Sequence, residues 1–487
     1  MRDLSINRST SRSDHRPRTG LWMLACLAIL LSSANAQVGP IHKIGGPPRA
    51  SRPTTPPVPA SLPPVPEPAD LPRPEERRVL VHDASGHPVV ARLHGTQDGK
   101  PLIILPDGQL GVPDRLIDTK EAFVPLSFDQ VREKLSNPEY SGYKVIQKPH
   151  YLIFTKASDA FTNASGKLLE NLYEELYSKL GKSGFAVHPP EFPLVAVIFK
   201  TEREFRAHRP VDKDVQAYYE IFSNRIFLYE TADRDSAAPE VAAMRQPQTV
   251  AHEGAHQILH NIGIQPRLAP WPIWLVEGLA EYCSPATITK KGQTTWAGLG
   301  MVNAQHLATI HDIVDGVNVP QNVLARRPDL PMVHSLVSAK QLTPTDYALA
   351  WGLTHYLATW RTTEFLKYLK SLSLLEPGQA MTPERHLADF ESAFGRDLAG
   401  IDRQIVKHLF KLKVKPGEFL PYYAVMIEQP AGRQQIRRIG LVSQSPSSIQ
   451  EWILKMGQGT ANGHWNAVPY PTRGGAQAMI ESFIQGQ

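Results

Sequence analysis

The chain has 487 residues, 42% of them hydrophobic and 20% charged, with a formal net charge of +5. These fractions exclude general disorder and describe a soluble chain with ample residues for a sizeable core, and the length suggests two to four domains. No basic stripe with interleaved aromatics accompanies the charge, so nothing argues for a nucleic-acid partner.

Arg2, Arg8, Arg12, Arg16 and Arg18 precede the apolar run LWMLACLAILL, and SSANAQ follows with Ala34 and Ala36 at small-residue positions. This is the layout of a secretory signal over residues 1–36, cleaved after Ala36, so the protein is expected in the periplasm, the cell envelope or outside the cell. Left uncleaved, the segment would be the only membrane contact. Its removal lowers the formal charge to about +2. Cys26 lies inside the apolar run behind Met23-Leu24-Ala25, which departs from the lipobox pattern. Cleavage leaves Cys283 as the only cysteine, so no intramolecular disulfide is available and the fold must hold by its core. Residues 37–76 are dominated by proline, which neither donates to a hydrogen-bond ladder nor buries apolar area; they read as an extended tether.

Residues 77–125 contain four strand-like pieces, RRVLVHDA, PVVARLHG, KPLIILPDG and AFVPLS, separated by Gly, Pro and Asp turns, and suggest a small antiparallel β module. From Phe128 a short helix, a hairpin GYKVIQKPHYLIFTKA and a long helix from about Ser158 to Leu180 are expected. PLVAVIFK reads as a buried strand and TEREFRAH as a short helix capped by Thr201. VQAYYEIFSNRIFLYE alternates around a Ser-Asn turn and predicts a second hairpin.

The chemistry lies in QTVAHEGAHQILHNIGIQPRLAPWPIWLVEGLAEY, residues 248–282. His252 and His256 are four apart, so on a helix they share one face, about 6 Å apart along the axis, and both imidazoles reach one ion. Glu253 between them projects beside such an ion, which suits a general base acting on water. Gly263 and Pro266 end the helix. A third histidine after a glycine turn is excluded, because those positions hold Leu259 and Ile262. In WLVEGLAEY, Glu277 and Glu281 share one face of a second helix, and by spacing alone either is a candidate third ligand. His260 continues the series but lies about 12 Å from His252 along the axis, too far to share its ion, and is expected at the surface or behind the ligands.

TVAHEGAHQ followed by WLVEGLAEY resembles the gluzincin zinc metallopeptidases of the peptidase-MA-like clan, and within them a bacterial secreted family of unknown function. The resemblance covers roughly residues 145–410. It implies one zinc ion held by His252, His256 and Glu277, Glu253 as base, and Glu281 orienting a ligand histidine. It also implies that the strand before the HExxH helix borders the cleft and pairs with an extended peptide or protein substrate, with Tyr218 and Tyr219 lining the groove or serving as ordinary sheet aromatics.

Beyond this stretch the chain is expected to be mostly helical. TPTDYALAWGLTHYLATW is a capped helix that places Tyr347, Trp351 and His355 on one face. Gluzincins supply a Tyr or His from a later element to hold the oxyanion, which nominates Tyr347 or His355; core packing is the rival reading. Further helices complete a peptidase domain over residues 126–415. Residues 416–487 read strand, strand, helix, strand, helix, a small α+β unit with no acid, base or metal set. The expected fold is therefore α+β, a gluzincin-like domain between two small modules, and the expected activity is zinc-dependent peptide hydrolysis. A binding scaffold with an unused site, and a zinc hydrolase of cell-wall peptides, are the competing readings.

Overall fold

The computed structural model describes residues 77–82, 87–97, 99–113, 115–211, 215–230, 239–289, 293–315, 331–414, 420–430, 436–457 and 464–486. The expected signal, Cys26 and the proline-rich tether lie outside these residues. Among the described residues no helix is long and apolar enough to cross a membrane.

The fold is α+β. It opens with an antiparallel sheet, β1 (Arg78–His82), β2 (Pro88–Gln97), β3 (Lys100–Ile104), β4 (Leu110–Gly111) and β5 (Ile117–Asp118), in the order β4-β3-β2-β1-β5. The strand expected at AFVPLS is not formed. Pro125 cannot donate to a ladder, and Ser127 is already the N-cap of helix α1 (Phe128–Ser136), exchanging capping-box bonds with Gln130. The two short strands β4 and β5 take the missing places instead.

A second sheet follows, built from β6 (Lys144–Gln147), β7 (Tyr151–Thr155), helix α2 (Asp159–Lys182), β8 (Leu194–Phe199), helix α3 (Glu202–His208), β9 (Ala217–Glu220) and β10 (Arg225–Tyr229). Its order is β6-β7-β8-β10-β9, with β8 parallel to both neighbours and β9 on the edge. All six residues of β8 are buried, which is why this strand reads as an unbroken apolar run rather than an alternation. Ser158 and Thr201 cap α2 and α3 through their hydroxyls, the second as expected.

Next comes α4 (Pro239–Asn261), the HExxH helix, then α5 (Ile273–Cys283), the hairpin β11 (Ala286–Ile288) with β12 (Thr294–Trp296), and helices α6 (Ala304–Asp315), α7 (Met332–Val337), α8 (Pro344–Trp360), α9 (Thr362–Leu372), α10 (Pro383–Phe394) and α11 (Leu398–Leu409). Gly263 at φ 85° turns the chain after α4. Helices α5 and α8 cross so closely that a Cβ on Gly278 would lie 2.7 Å from the carbonyl oxygen of Ala350. The glycine of WLVEGLAEY is thus a packing requirement, and it sets how far α5 can advance toward α4. One continuous core runs beneath all of this, joining α2, α4, α5 and α8 through Leu172, Ala255, Trp274 and Trp351.

The chain ends with β13 (Tyr422–Pro430), β14 (Ile436–Ser443), α12 (Pro446–Gly457), β15 (His464–Tyr470) and α13 (Arg473–Gln485), the strands in the order β14-β13-β15. The element order follows the expected pattern. This unit is sewn to the helical region rather than hung from it. Ala286 shares a core with Val425 and Trp452, the Thr309 and Ser445 hydroxyls meet at 2.7 Å, and Thr345 donates to Glu451 at 2.5 Å, all buried.

Candidate metal centre

Helix α4 contributes His252, Glu253 and His256, and α5 contributes Glu277 and Glu281; all five are buried, Glu277 completely. The Nε2 atoms of His252 and His256 are 3.2 Å apart, and Oε2 of Glu277 lies 3.3 Å from the first and 3.6 Å from the second. Two ring nitrogens facing each other at that distance repel unless something positive lies between them. Tetrahedral zinc with ligands at about 2.0–2.1 Å separates neighbouring ligand atoms by about 3.3 Å, so the triangle has the dimensions such an ion needs. The donor chemistry agrees. Both carboxylate oxygens of Glu277 are buried without a hydrogen-bond partner among the described residues, an arrangement that is costly unless a cation satisfies it. This buried triad could hold a metal ion.

The second carboxylate behaves differently from the first. Glu281 Oε1 lies 3.2 Å from Nδ1 of His252, the nitrogen not facing Glu277, while Oε2 accepts from His306 Nε2 at 2.8 Å and from the Ser284 hydroxyl at 3.2 Å. It therefore fixes the tautomer and aim of His252, leaving Nε2 its lone pair for an ion. His306 was not singled out in the sequence. It sits in the first turn of α6, where Asn303 Oδ1 accepts from its backbone N–H at 3.2 Å. The capping asparagine signals that helix, but only the packing of α6 reveals that His306 meets Glu281.

Without an ion, protons take up the charge balance. Burial would push the carboxyl of Glu277 up, but the neighbouring His256 and His252 outweigh it and bring it down to about 2. Glu281 is likewise held below the carboxylate range against burial, by His306 and His252. Burial opposes a charge on His252, yet Glu281 and Glu277 raise its pKa well above the usual value. Glu253 goes the other way: burial raises its pKa, and the nearby histidines only partly offset the rise. Its Oε2 accepts the backbone N–H of Tyr219 at 2.7 Å, so edge strand β9 holds the carboxylate beside the triad.

Other expected residues fall elsewhere. The rings of Tyr218 and Tyr219 are buried, Tyr218 against Phe205 and Phe227 and Tyr219 with its hydroxyl on Asn224 at 2.9 Å, so they pack as sheet aromatics. Only the backbone of Tyr219 reaches the site. His260 is outside the ligand triad and half-buried: its Nδ1 donates to the carbonyl of Gln265 at 2.8 Å and its ring stacks on Tyr219. Tyr347 is buried in the main core. His355 pairs through Nδ1 with Nε2 of His408 at 2.9 Å and packs against Tyr282 and Trp351. Cys283 is free and buried, its thiol pushed up to about 12 by that burial.

A family model described as a protein of unknown function (DUF1570) matches residues 246–378, a span that begins just before the HExxH turn of α4 and contains His252, Glu253, His256, Glu277, Glu281 and His306 but not Tyr219. No curated protein matches the chain. The match marks the cluster and its surrounding helices as one unit and assigns no activity to it.

Proposed function

We propose that the chain is an exported, gluzincin-like zinc metallopeptidase that hydrolyses peptide bonds. The observation that carries this reading is the triangle of His252, His256 and Glu277 at tetrahedral spacing, with Glu253 on the same helix and fixed beside it by Tyr219. Bound there, a zinc ion supplies Lewis acidity that acidifies water and polarises a carbonyl.

The chain's own residues do the remaining work. Glu281, bridging His252 and His306, holds the first imidazole in the tautomer an ion requires. Burial favours the protonated form of Glu253, which equips it to accept a proton from attacking water and pass it to the leaving amine. The place of β9 at the end of its sheet supports an extended peptide laid alongside it, since main-chain pairing needs a strand unpaired on one side. Export rests on the arginines, apolar run and Ala34/Ala36 pattern of the N-terminus.

The test combines metal content with cleavage of a diverse peptide library by the mature protein and by Glu253→Gln. Glutamine keeps the shape but cannot accept the proton, so the variant should keep its zinc while turnover falls by roughly 10²- to 10⁴-fold. A wild-type protein that binds zinc stoichiometrically and cleaves nothing would favour the scaffold reading, and unchanged turnover in the variant would move the base to another group.

A further inference from the structure

A second cleft lies beyond the other end of the HExxH helix, with a volume of about 1070 Å³. Its walls come from strand β2 of the first sheet, from the turn carrying Gln265 to Arg267, and from the loop at residues 376–379. His260, which also lines it, stands two helical turns from His252, about 12 Å away. The walls are locked together. A Cβ on Gly95 would come within 2.6 Å of the Pro377 carbonyl oxygen, and Gly378 donates its N–H to Leu268 at 2.9 Å, so β2 and the loop meet backbone to backbone. The cleft is therefore formed before any ligand arrives.

Arg267 lines this cleft and is only 4% exposed. One guanidinium nitrogen donates to the carbonyl of Ile221 at 3.2 Å; among the described residues no carboxylate lies within ion-pair distance and no other acceptor meets the group. The acids that act on it electrostatically are already engaged. Asp107 accepts from Lys134 and from Gln109, and Glu191 accepts two bonds from Arg92. Arginine cannot shed its charge, so a buried guanidinium with one carbonyl acceptor is costly unless an anion from outside completes it. Its neighbours do not compete for that anion. His94 donates Nε2–H to the Arg267 carbonyl at 2.8 Å and His260 gives Nδ1–H to Gln265, and burial brings both rings down, to about 4 and about 3, so both are neutral acceptors rather than further cations. Nε2 of His260 has no hydrogen-bond partner among the described residues. Leu93, Ile104, Phe192 and Pro266 supply apolar lining, and of the charged groups that share it Arg77 is paired with Asp118, Arg92 with Glu191, and Glu376 accepts from Gln379.

We propose that this cleft binds a carboxylate carried on an apolar body that also offers an amide N–H, as the C-terminal residue of a peptide or an N-acyl amino acid does. The planar fork of Arg267 matches a carboxylate, a neutral histidine accepts the N–H, and the apolar walls take the side chain. With Arg77 and Arg92 already paired to carboxylates, one unpaired fork suits a single carboxylate better than a phosphate, which draws several donors at once.

Calorimetric titration of the full chain with N-acetylleucine and N-acetylleucinamide tests this, repeated after EDTA treatment so that no ion at the His252 cluster can hold the acid. The acid is expected to bind in both conditions and the amide at least about tenfold more weakly. Arg267→Met should erase that preference. Thr96→Trp, at an exposed position on the cleft rim, should weaken the acid while leaving Arg267 in place, and it decides the matter if the first variant fails to fold. A free-acid Ala-Ala-Ala-Leu peptide separates the two sources: tighter binding than N-acetylleucine assigns a polypeptide terminus, weaker binding a small N-acyl amino acid, and each supports the site. Binding lost with EDTA, equal affinity for acid and amide, no binding of the acid at millimolar concentration, or full acid affinity in Thr96→Trp would overturn the proposal.

Discussion

Two histidine pairs in the helical region have opposite characters. His252 and His256 face Glu277, with Glu281 behind them, and His252 is driven toward its protonated form against the pull of burial. His355 and His408 face each other, and Trp360 donates its indole N–H to His408 at 2.8 Å. There burial, and then the neighbouring ring, brings His355 down to about 4. Imidazoles alone thus do not make a metal centre. The carboxylates make the difference: a proton or a metal ion could satisfy the first pair, whereas the second pair satisfies itself by hydrogen bonds and offers no converging lone pairs.

The sharpest way to break that contrast is to remove the carboxylate facing the ion. Glu277→Ala should leave two histidines, and most zinc should be lost on dialysis, as elemental analysis would show; full retention would mean the third ligand has been misassigned. A smaller effect is expected from Glu281→Ala, which loses the aim of His252 but not a ligand. Its zinc affinity should fall roughly ten- to a hundredfold and still saturate at excess metal, and His306→Ala, one step further out, should cost a few-fold at most. If Glu281→Ala is the variant that cannot be reloaded, the two glutamates exchange roles.

Acidity separates the metal-free and metal-loaded forms. The pKa of His252 is raised in the folded metal-free protein, so zinc uptake should compete with a proton there, and affinity should climb as pH rises. The metal-free fold follows the opposite sign. A pKa raised on folding adds stability that is fully present below the unfolded value of about 6.5 and is lost as pH rises through the folded value. Melting of the two forms across pH 5–9 should therefore diverge toward alkaline pH, and parallel curves would count against proton and metal competing for one nitrogen. The smallest change is expected from His355→Phe: unaltered zinc content and a stability loss of about 1 kcal/mol, the worth of one hydrogen bond, read by thermal or denaturant unfolding. Loss of metal in that variant would erase the distinction between the two pairs.

Much of the centre was legible in the chain because it rests on short-range periodicity. A four-residue spacing on a helix puts His252 and His256 on one face and Glu277 and Glu281 on another whatever surrounds them, and the same rise places His260 out of reach of the ion. Alternation, unbroken apolar runs and capping residues likewise marked most strands and helices, including Thr201 at the start of α3. Proline and a competing cap hid the missing strand at 122–127, and nothing local announced the β11 and β12 hairpin.

Periodicity cannot say which face meets which. Glu277 faces both histidines while Glu281 reaches behind one of them because α5 crosses α4 at a distance set by the tight contact of Gly278 with α8, a relation between residues some seventy positions apart. His306 joins the cluster only through the docking of α6, and Tyr219 lends its N–H to Glu253 only because β9 is the sheet edge beside α4. The sequence by itself determined the donor types and their local facing, since both follow from a few consecutive backbone angles. Tertiary packing alone decided their convergence, the division of labour between the two glutamates and the buried, unmatched charge of Arg267, because each depends on the distance between elements that the chain brings together from far apart.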